Sequence, residues 1–298
     1  MGVRDWDLRQ FRLLDALARR GSIGAAARET GMAQPNASKL LEQMERSAGF
    51  ALARRTPRGT ELTDRGRVIA GLAADVLEAA DSVARAVDAL EGERGALHVC
   101  ASMTVAEHLM PQWLAAAQQR LPGVTVTLDV GNTDEVFERL RTGVADLGFV
   151  EGPTVQTGFR YLDVARDELV VIVRPGHPWA DDGDIPPEAI ATAGLVVREP
   201  GSGTRQTTDL ALAPYGEGVR FEVGSNAALA ASVAAGLGPG VVSRLAVQLA
   251  LRSGRLAEAR TPSLRLGRVL RAVWSAASPL PRSAQDFLGL AANAASRT

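Results

Sequence analysis

Apolar residues change their spacing once along the 298-residue chain: up to about residue 92 they recur with helical period, and beyond it they gather in short runs bounded by Gly, Pro or Asn. In residues 34–48, Ala37, Leu40, Leu41 and Met44 stand at i, i+3, i+4 and i+7, the period of one buried helix face. Ahead of them, Ser22 is placed as N-cap of a helix through Ala25, Ala26 and Ala27, and Gly31 is placed to take the left-handed conformation that ends it. Leu8, Phe11, Leu14 and Leu17 form a similar stripe on a first helix. Three short helices, two of them joined by a tight turn, predict a helix-turn-helix. Farther on, Ile69, Ala73, Val76, Ala80, Val83, Val87 and Leu90 are spaced alternately by four and three, a heptad seam on one long helix with Thr63 as N-cap and Gly92 and Gly95 at its end. One helix cannot bury such a seam by itself. It pairs with the same helix of a second copy or packs on its own domain, and small alanine positions suit both.

From residue 94 onward, "ALHVCAS", "VTVTLDV", "ADLGFV", "ELVVIV", "GLVV", "VRFEV", "GVVS" and "RVLRAVWS" read as Val-rich strands. Helices are predicted between most of them, over residues 104–120, 133–142, 204–213, 225–235 and 282–295. Alternation of helices with nearly continuous hydrophobic strands predicts an α/β fold with covered, mostly parallel sheets, large enough for two lobes.

The polar side of the second motif helix decides what the helical part does. Gln34, Pro35, Ser38, Lys39 and Glu42 are left facing outward when Ala37, Leu40, Leu41 and Met44 face inward. Gln pairs bidentately with adenine, Lys with guanine, and Ser with a base or a phosphate, so one face carries three residue types that read DNA. A plain solvated face is the alternative. Downstream, "ARRTPRGTELTDRG" sets Arg54, Arg55 and Arg58 around a Pro-Gly turn, which reads as a basic wing. Residues 1–66 hold 12 Lys or Arg against 8 Asp or Glu, and the rest of the chain holds 21 against 26. Positive charge thus lies where phosphate contact needs it, while the net charge of −1 argues against polyanion binding by the whole chain.

In the α/β part, polar residues gather at predicted strand-to-helix junctions: Ser102 and Thr104, Asn132 and Thr133, Ser202 and Thr204 with Arg205, and Ser225 with Asn226. Hydroxyls and free N–H groups at helix starts suit an anion. Each taken singly also fits an ordinary N-cap; recurrence at several strand ends points to a small anion-binding cleft.

The run "LRQFRLLDALARRGSIGAAARETGMAQPNASKLLEQMERSAG…RRTPRGTELTDRG" resembles the winged helix-turn-helix of LysR-type transcriptional regulators. The resemblance implies that Gln34, Pro35, Asn36, Ser38 and Lys39 lie on the recognition helix, that Arg55 and Arg58 lie in the wing, and that Ile69, Val76, Val83 and Val87 belong to a linker helix pairing two subunits. Ala33 stands where the family has Ser, so that helix lacks a side-chain cap. "SMTVAEHLMP" and "REPGSGTR" are similar to the branch that includes regulators of carbon-fixation and cysteine-biosynthesis operons, whose effector domain has the two-lobed periplasmic-binding-protein fold. The implied organisation is a DNA-binding domain over 1–62, a linker helix over 63–92 and an effector domain over 93–298, with one lobe at about 93–163 and 268–298 and the other at about 164–267. Ser102, Thr104, Thr133, Ser202 and Thr204, with Arg205 and Asn226, are then the expected contacts of a small anionic effector. Double-stranded DNA, a homodimer and a homotetramer are the other expected partners.

Enzyme chemistry finds little support. Cys100 is the single cysteine, set in an apolar strand, and His98, His108 and His177 form no HExxH. "GSGTR" lacks the P-loop lysine, no GxSxG occurs, and the Asp181-Asp182-Gly183-Asp184 run lacks the glutamate of a calcium loop. No cofactor or metal is expected. With 46% hydrophobic and 22% charged residues, no signal-peptide pattern and no long uninterrupted apolar stretch, a soluble cytoplasmic protein is expected. A metabolite-binding transport or enzyme-like module with an accessory helical domain is the alternative, separable because only a regulator binds a specific duplex with salt dependence.

Overall fold

A computed structural model describes residues 6–56, 59–90, 96–181, 183–218 and 220–295. Pro57, Arg58, Gly92, Gly95 and Asp182, and the side chains of Arg55 and Val87, lie outside the described residues. The chain divides into two compact units near Val87.

The first unit opens with α1 (Leu8–Arg20), whose Asp7 carboxylate accepts from the Arg9 and Gln10 amides while the Gln10 side chain accepts from the Asp7 amide. This reciprocal cap starts the helix, and left-handed Gly21 ends it. Next come α2 (Ile23–Glu29) and α3 (Gln34–Ala48). Ser22 does occupy the N-cap position of α2, yet its hydroxyl makes no cap hydrogen bond, and Gly31 follows with φ of 69°. Ala33 precedes α3 without a side-chain cap and Pro35 lies in its first turn, where a missing N–H costs nothing. Leu13, Leu14, Leu17, Ala26, Ala37 and Met44 fill the core. Leu8 of the expected stripe is exposed instead, because the buried face of α1 is centred on Leu13 and Leu17.

Strands β1 (Ala53–Thr56) and β2 (Gly59–Leu62) pair antiparallel as the wing. The Glu45 carboxylate accepts from the Leu52 and Ala53 amides at 2.8 and 3.0 Å and so ties α3 to its base. The wing closes on the turn after α1: the Thr60 amide donates to the Gly21 carbonyl, and a Cβ on Gly59 (φ 141°) would stand 2.7 Å from that oxygen. Helix α4 (Asp64–Leu90) follows, with the Thr63 hydroxyl accepting from the Gly66 amide at 3.0 Å as its expected cap.

The seam of α4 differs from the expected one at its start. Ala73 is buried in the helix-turn-helix core and Ile69, half-buried, packs against that core. Val68 and Leu72 are 64% and 57% exposed in their place, and Val76 and Val83 continue the open stripe. At 100° per residue these four lie within about 80° of the helix circumference.

The second unit is built on one continuous sheet, shared by two lobes. Its elements in the first lobe are β3 (Ala96–Ser102), α5 (Met103–His108), α6 (Met110–Arg120), β4 (Thr125–Gly131), α7 (Thr133–Arg141) and β5 (Leu147–Glu151). Strand β6 (Phe159–Val173) crosses to the second lobe, which holds α8 (Pro178–Asp181), α9 (Pro187–Thr192), β7 (Leu195–Arg198), α10 (Gly203–Leu212), β8 (Arg220–Val223), α11 (Asn226–Ala234), β9 (Gly240–Ser243), α12 (Arg244–Arg252) and β10 (Ala257–Ala259). Strand β11 (Gly267–Ser275) returns to the first lobe and α13 (Arg282–Ala295) packs there. Strand order is β4-β3-β5-β11-β6-β9-β7-β8, with β10 on β6. Pairs β3–β4, β3–β5, β7–β8 and β7–β9 are parallel, whereas β6 and β11 pair antiparallel with their neighbours. Apolar clusters cover both faces of each half. The carboxyl ends of β3 and β5 and of β7 therefore lead to the middle of the unit, where α5 and α10 begin.

Candidate functional site

The polar side chains at the predicted strand-to-helix junctions prove to be of two kinds. Asn132 and Ser225 are ordinary caps: the Asn132 amide oxygen accepts from the Glu135 amide at 3.0 Å, and the Ser225 hydroxyl accepts from the Ala228 amide at 3.0 Å. Ser102 and Ser202, at the starts of α5 and α10, make no cap bond. Both hydroxyls are fully buried and have no hydrogen-bond partner among the described residues.

At the first turns of the same two helices stands a residue that sequence reasoning missed. Arg268, with a side chain 1% exposed, enters from β11 and touches both lobes. Its Nη2 donates to the Thr104 hydroxyl at 3.3 Å and its Nη1 to the Thr204 hydroxyl at 3.0 Å. Its Nε donates to Asp167 at 2.8 Å, and Nη2 stands 2.7 Å from Asp167 and 3.1 Å from Glu151. Asp167 is further fixed by the Ser243 hydroxyl at 3.0 Å. One guanidinium thus faces two carboxylates in a water-excluded place, where an unpaired charge would be costly.

The remaining expected residues divide around this centre. Thr104 accepts from both Arg268 and the Asn226 side-chain amide, which fills its lone pairs and leaves its own proton without an acceptor among the described residues. Thr204 accepts from Arg268 and donates to Glu151 at 3.3 Å, and Thr133 donates to the Glu151 carbonyl at 2.9 Å, so both of those protons are engaged. Asn226 also accepts from buried Arg198, whose other donors grip Glu199. Arg205 turns away from the hydroxyls, to Asp209, Glu222 and the Arg198 carbonyl. The inward cations are Arg268 and Arg198 instead.

A sequence signal for the missed group exists. Arg268 shares strand phase with buried Leu270 and Ala272, Asp167 with Leu169 and Val171, and Glu151 with Leu147 and Phe149. Charged residues in the inward phase of apolar strands mark a buried polar site.

On the first unit, Gln34, Pro35, Asn36 and Lys39 are exposed on α3, and Ser38 is half-buried in a groove between α3 and the wing, beside Arg54 and Thr60. A concavity of about 700 Å³ next to α3 brings Asn36 and Lys39 together with Arg9 and Arg12 of α1. Arg9 and Arg12, absent from the expected set, add positive charge on the same side as Lys39. Among the described residues no group of side chains could hold a metal, and no helix is long and apolar enough to cross a membrane.

Comparison with known proteins covers both units. Residues 8–67 match the model of the bacterial regulatory helix-turn-helix protein, lysR family, and residues 90–296 match the LysR substrate binding domain. An uncharacterized HTH-type transcriptional regulator of Mycobacterium tuberculosis is 42% identical over 292 residues, covering 93% of this chain and 94% of that protein. The RuBisCO operon transcriptional regulator of Acidithiobacillus ferrooxidans is 30% identical over 294 residues, covering 97% of this chain and 95% of its own length. Among solved structures, the regulatory domain of Synechocystis PCC6803 CcmR in complex with 2-PG superposes with a TM-score of 0.62 at 27% identity, covering 67% of this chain and 97% of that one. The resemblance to carbon-fixation regulators read from the two short motifs agrees with these relatives.

Proposed function

The chain belongs to the LysR family of DNA-binding transcriptional regulators, and from that premise we propose that a small anionic metabolite bound between the lobes controls its grip on an operator. The observation that carries this reading is the pair of buried, uncapped hydroxyls of Ser102 and Ser202, with the Thr104 proton between lobes joined by Arg268. Buried polar groups in folded proteins are nearly always paired, so three free hydroxyl protons at the carboxyl ends of facing strands are suited to an acceptor-rich ligand. An acid group taking them gains charge-assisted hydrogen bonds in a place that excludes water. CcmR, a relative by structure, was solved with 2-PG, which makes 2-PG the first compound to try.

Gln34, Asn36, Ser38 and Lys39 are the base-reading set in this account, with Arg9, Arg12 and Arg54 holding phosphates. The open stripe of α4 pairs two chains, which sets two recognition helices on successive major grooves about 34–36 Å apart. A tetramer of two such dimers, and a cytoplasmic location, follow from the family reading.

Electrophoretic shift of the DNA upstream of the gene, with 2-PG and a set of other small acids added at fixed salt, tests the proposal. A shift whose mobility or midpoint changes with one of these acids is expected. Specific binding that ignores every acid would leave a regulator without the proposed effector site.

A further inference from the structure

The effector site offers more than hydroxyl protons. Glu151, 3% exposed at the end of β5, uses one carboxylate oxygen to accept from Thr204 and has its Oε2 without a hydrogen bond among the described residues. That oxygen stands 3.1 Å from Nη2 of Arg268, the same nitrogen that donates to Thr104 at 3.3 Å. Ion-pair distance without hydrogen-bond alignment leaves its lone pairs open. A Thr104 hydroxyl proton and a Glu151 carboxylate oxygen, both without a hydrogen-bond partner among the described residues, thus lie beside one guanidinium.

We infer that Glu151 is a specificity-determining residue, which selects effectors carrying a hydroxyl or ammonium donor a few bonds from the acid group. The inference rests on the reading of this cleft as the effector site. Charge supports it: Arg268 is already shared by Glu151 and Asp167, and Arg198 is held by Glu199. Among the described residues, the cation beside Oε2 is Arg268, already matched by two carboxylates. A second acid group placed there meets a carboxylate, whereas a hydroxyl or ammonium group completes its hydrogen bonding. An effector lacking the donor leaves a buried carboxylate oxygen unpaired, the situation in which sites built to hydrogen-bond one group reject the analogue without it.

Titration calorimetry on the full chain, with acids that differ only in carrying or lacking hydroxyl groups, tests this directly. Suitable pairs are glycolate and acetate, lactate and propionate, and glycerol 3-phosphate and propyl phosphate. In at least one pair the hydroxylated member binds about tenfold more tightly or better, equivalent to about 1.4 kcal/mol. In Glu151→Gln that ratio falls below about threefold. Equal affinities within every pair that binds overturn the role of Glu151 and leave the cleft standing as the effector site. Binding of no acid at all overturns the cleft and the inference together. Should Glu151→Gln fail to fold, as judged by circular dichroism, the pairs measured on the unsubstituted protein decide by themselves. A ratio kept intact in a folded Glu151→Gln would also overturn the inference.

Discussion

Arg268 carries a positive charge into the middle of the second unit and touches four polar side chains there, two hydroxyls and two carboxylates. Replacing it by Met leaves Glu151 and Asp167 buried against each other with no cation, a loss of about 3–5 kcal/mol in chemical denaturation. Arg268→Lys keeps the charge but cannot fork to Thr104 and Thr204 together, so the folded variant should retain DNA binding and lose most of its response to small acids. Cys100 is the opposite case, a buried group set apart from any chemistry. Burial pushes its thiol up from the ordinary 9.0 to about 11. The unfolded chain releases this proton first as the pH rises, so the thiol favours the folded state below pH 9 and that contribution fades between pH 9 and 11. Iodoacetamide at pH 8 should modify Cys100 only as fast as the second unit opens; rapid labelling of the folded protein would contradict its placement.

Helix α3 is fixed by what surrounds it more than by its own start. Ala33 offers no cap, and Ala33→Ser should stabilise the first unit by about 0.5–2 kcal/mol, seen as slower exchange of the first α3 amides. On the outer face of the same helix, Gln34→Ala and Ser38→Ala should each reduce discrimination between operator and mismatched DNA by about 1–3 kcal/mol, whereas Arg9→Ala and Arg12→Ala should weaken all duplexes and each lower the salt slope by about one. Helix α4 shows both the reach and the limit of sequence pattern. Its length, its Thr63 cap and its apolar seam were legible, but a heptad drifts on a straight helix, and the pattern could not say which residues the helix-turn-helix core would claim. That core took Ile69 and Ala73 and left Val68, Leu72, Val76 and Val83 outside. Sedimentation of Leu72→Asp/Val83→Asp should therefore show a smaller assembly than Ile69→Ala, since only the former buries charge in the proposed pairing stripe.

At the scale of the whole molecule, the strands were legible wherever valine ran unbroken and obscure wherever charge interrupted them. The first half of β6 carries exposed Arg160, Asp163 and Arg166 among positions of which few are fully buried, so no strand pattern marks it, although it pairs with β11 along its length. The single helix expected over residues 104–120 divides at Leu109, because Pro111 has no N–H to continue a helix and instead lies in the first turn of α6. The hydroxyls of the cleft could be named from their junctions, but which of them serve as caps and which stay free is set by tertiary neighbours such as Glu151 and Arg268. That distinction carries the functional account: Thr104 keeps a free proton in the proposed effector site, and its side chain links the first lobe to Asn226 and Arg268. A ligand can shift the balance of lobe arrangements only through its differential affinity for them, so loss of this proton should remove the response and spare the ligand-free state. DNase footprinting of Thr104→Val beside the unsubstituted protein, on the DNA upstream of the gene and with the small acid that binds most tightly, measures this. The account predicts equal footprints without the acid and an acid-dependent change in the unsubstituted protein alone; the same change in Thr104→Val at the same acid concentration would contradict it.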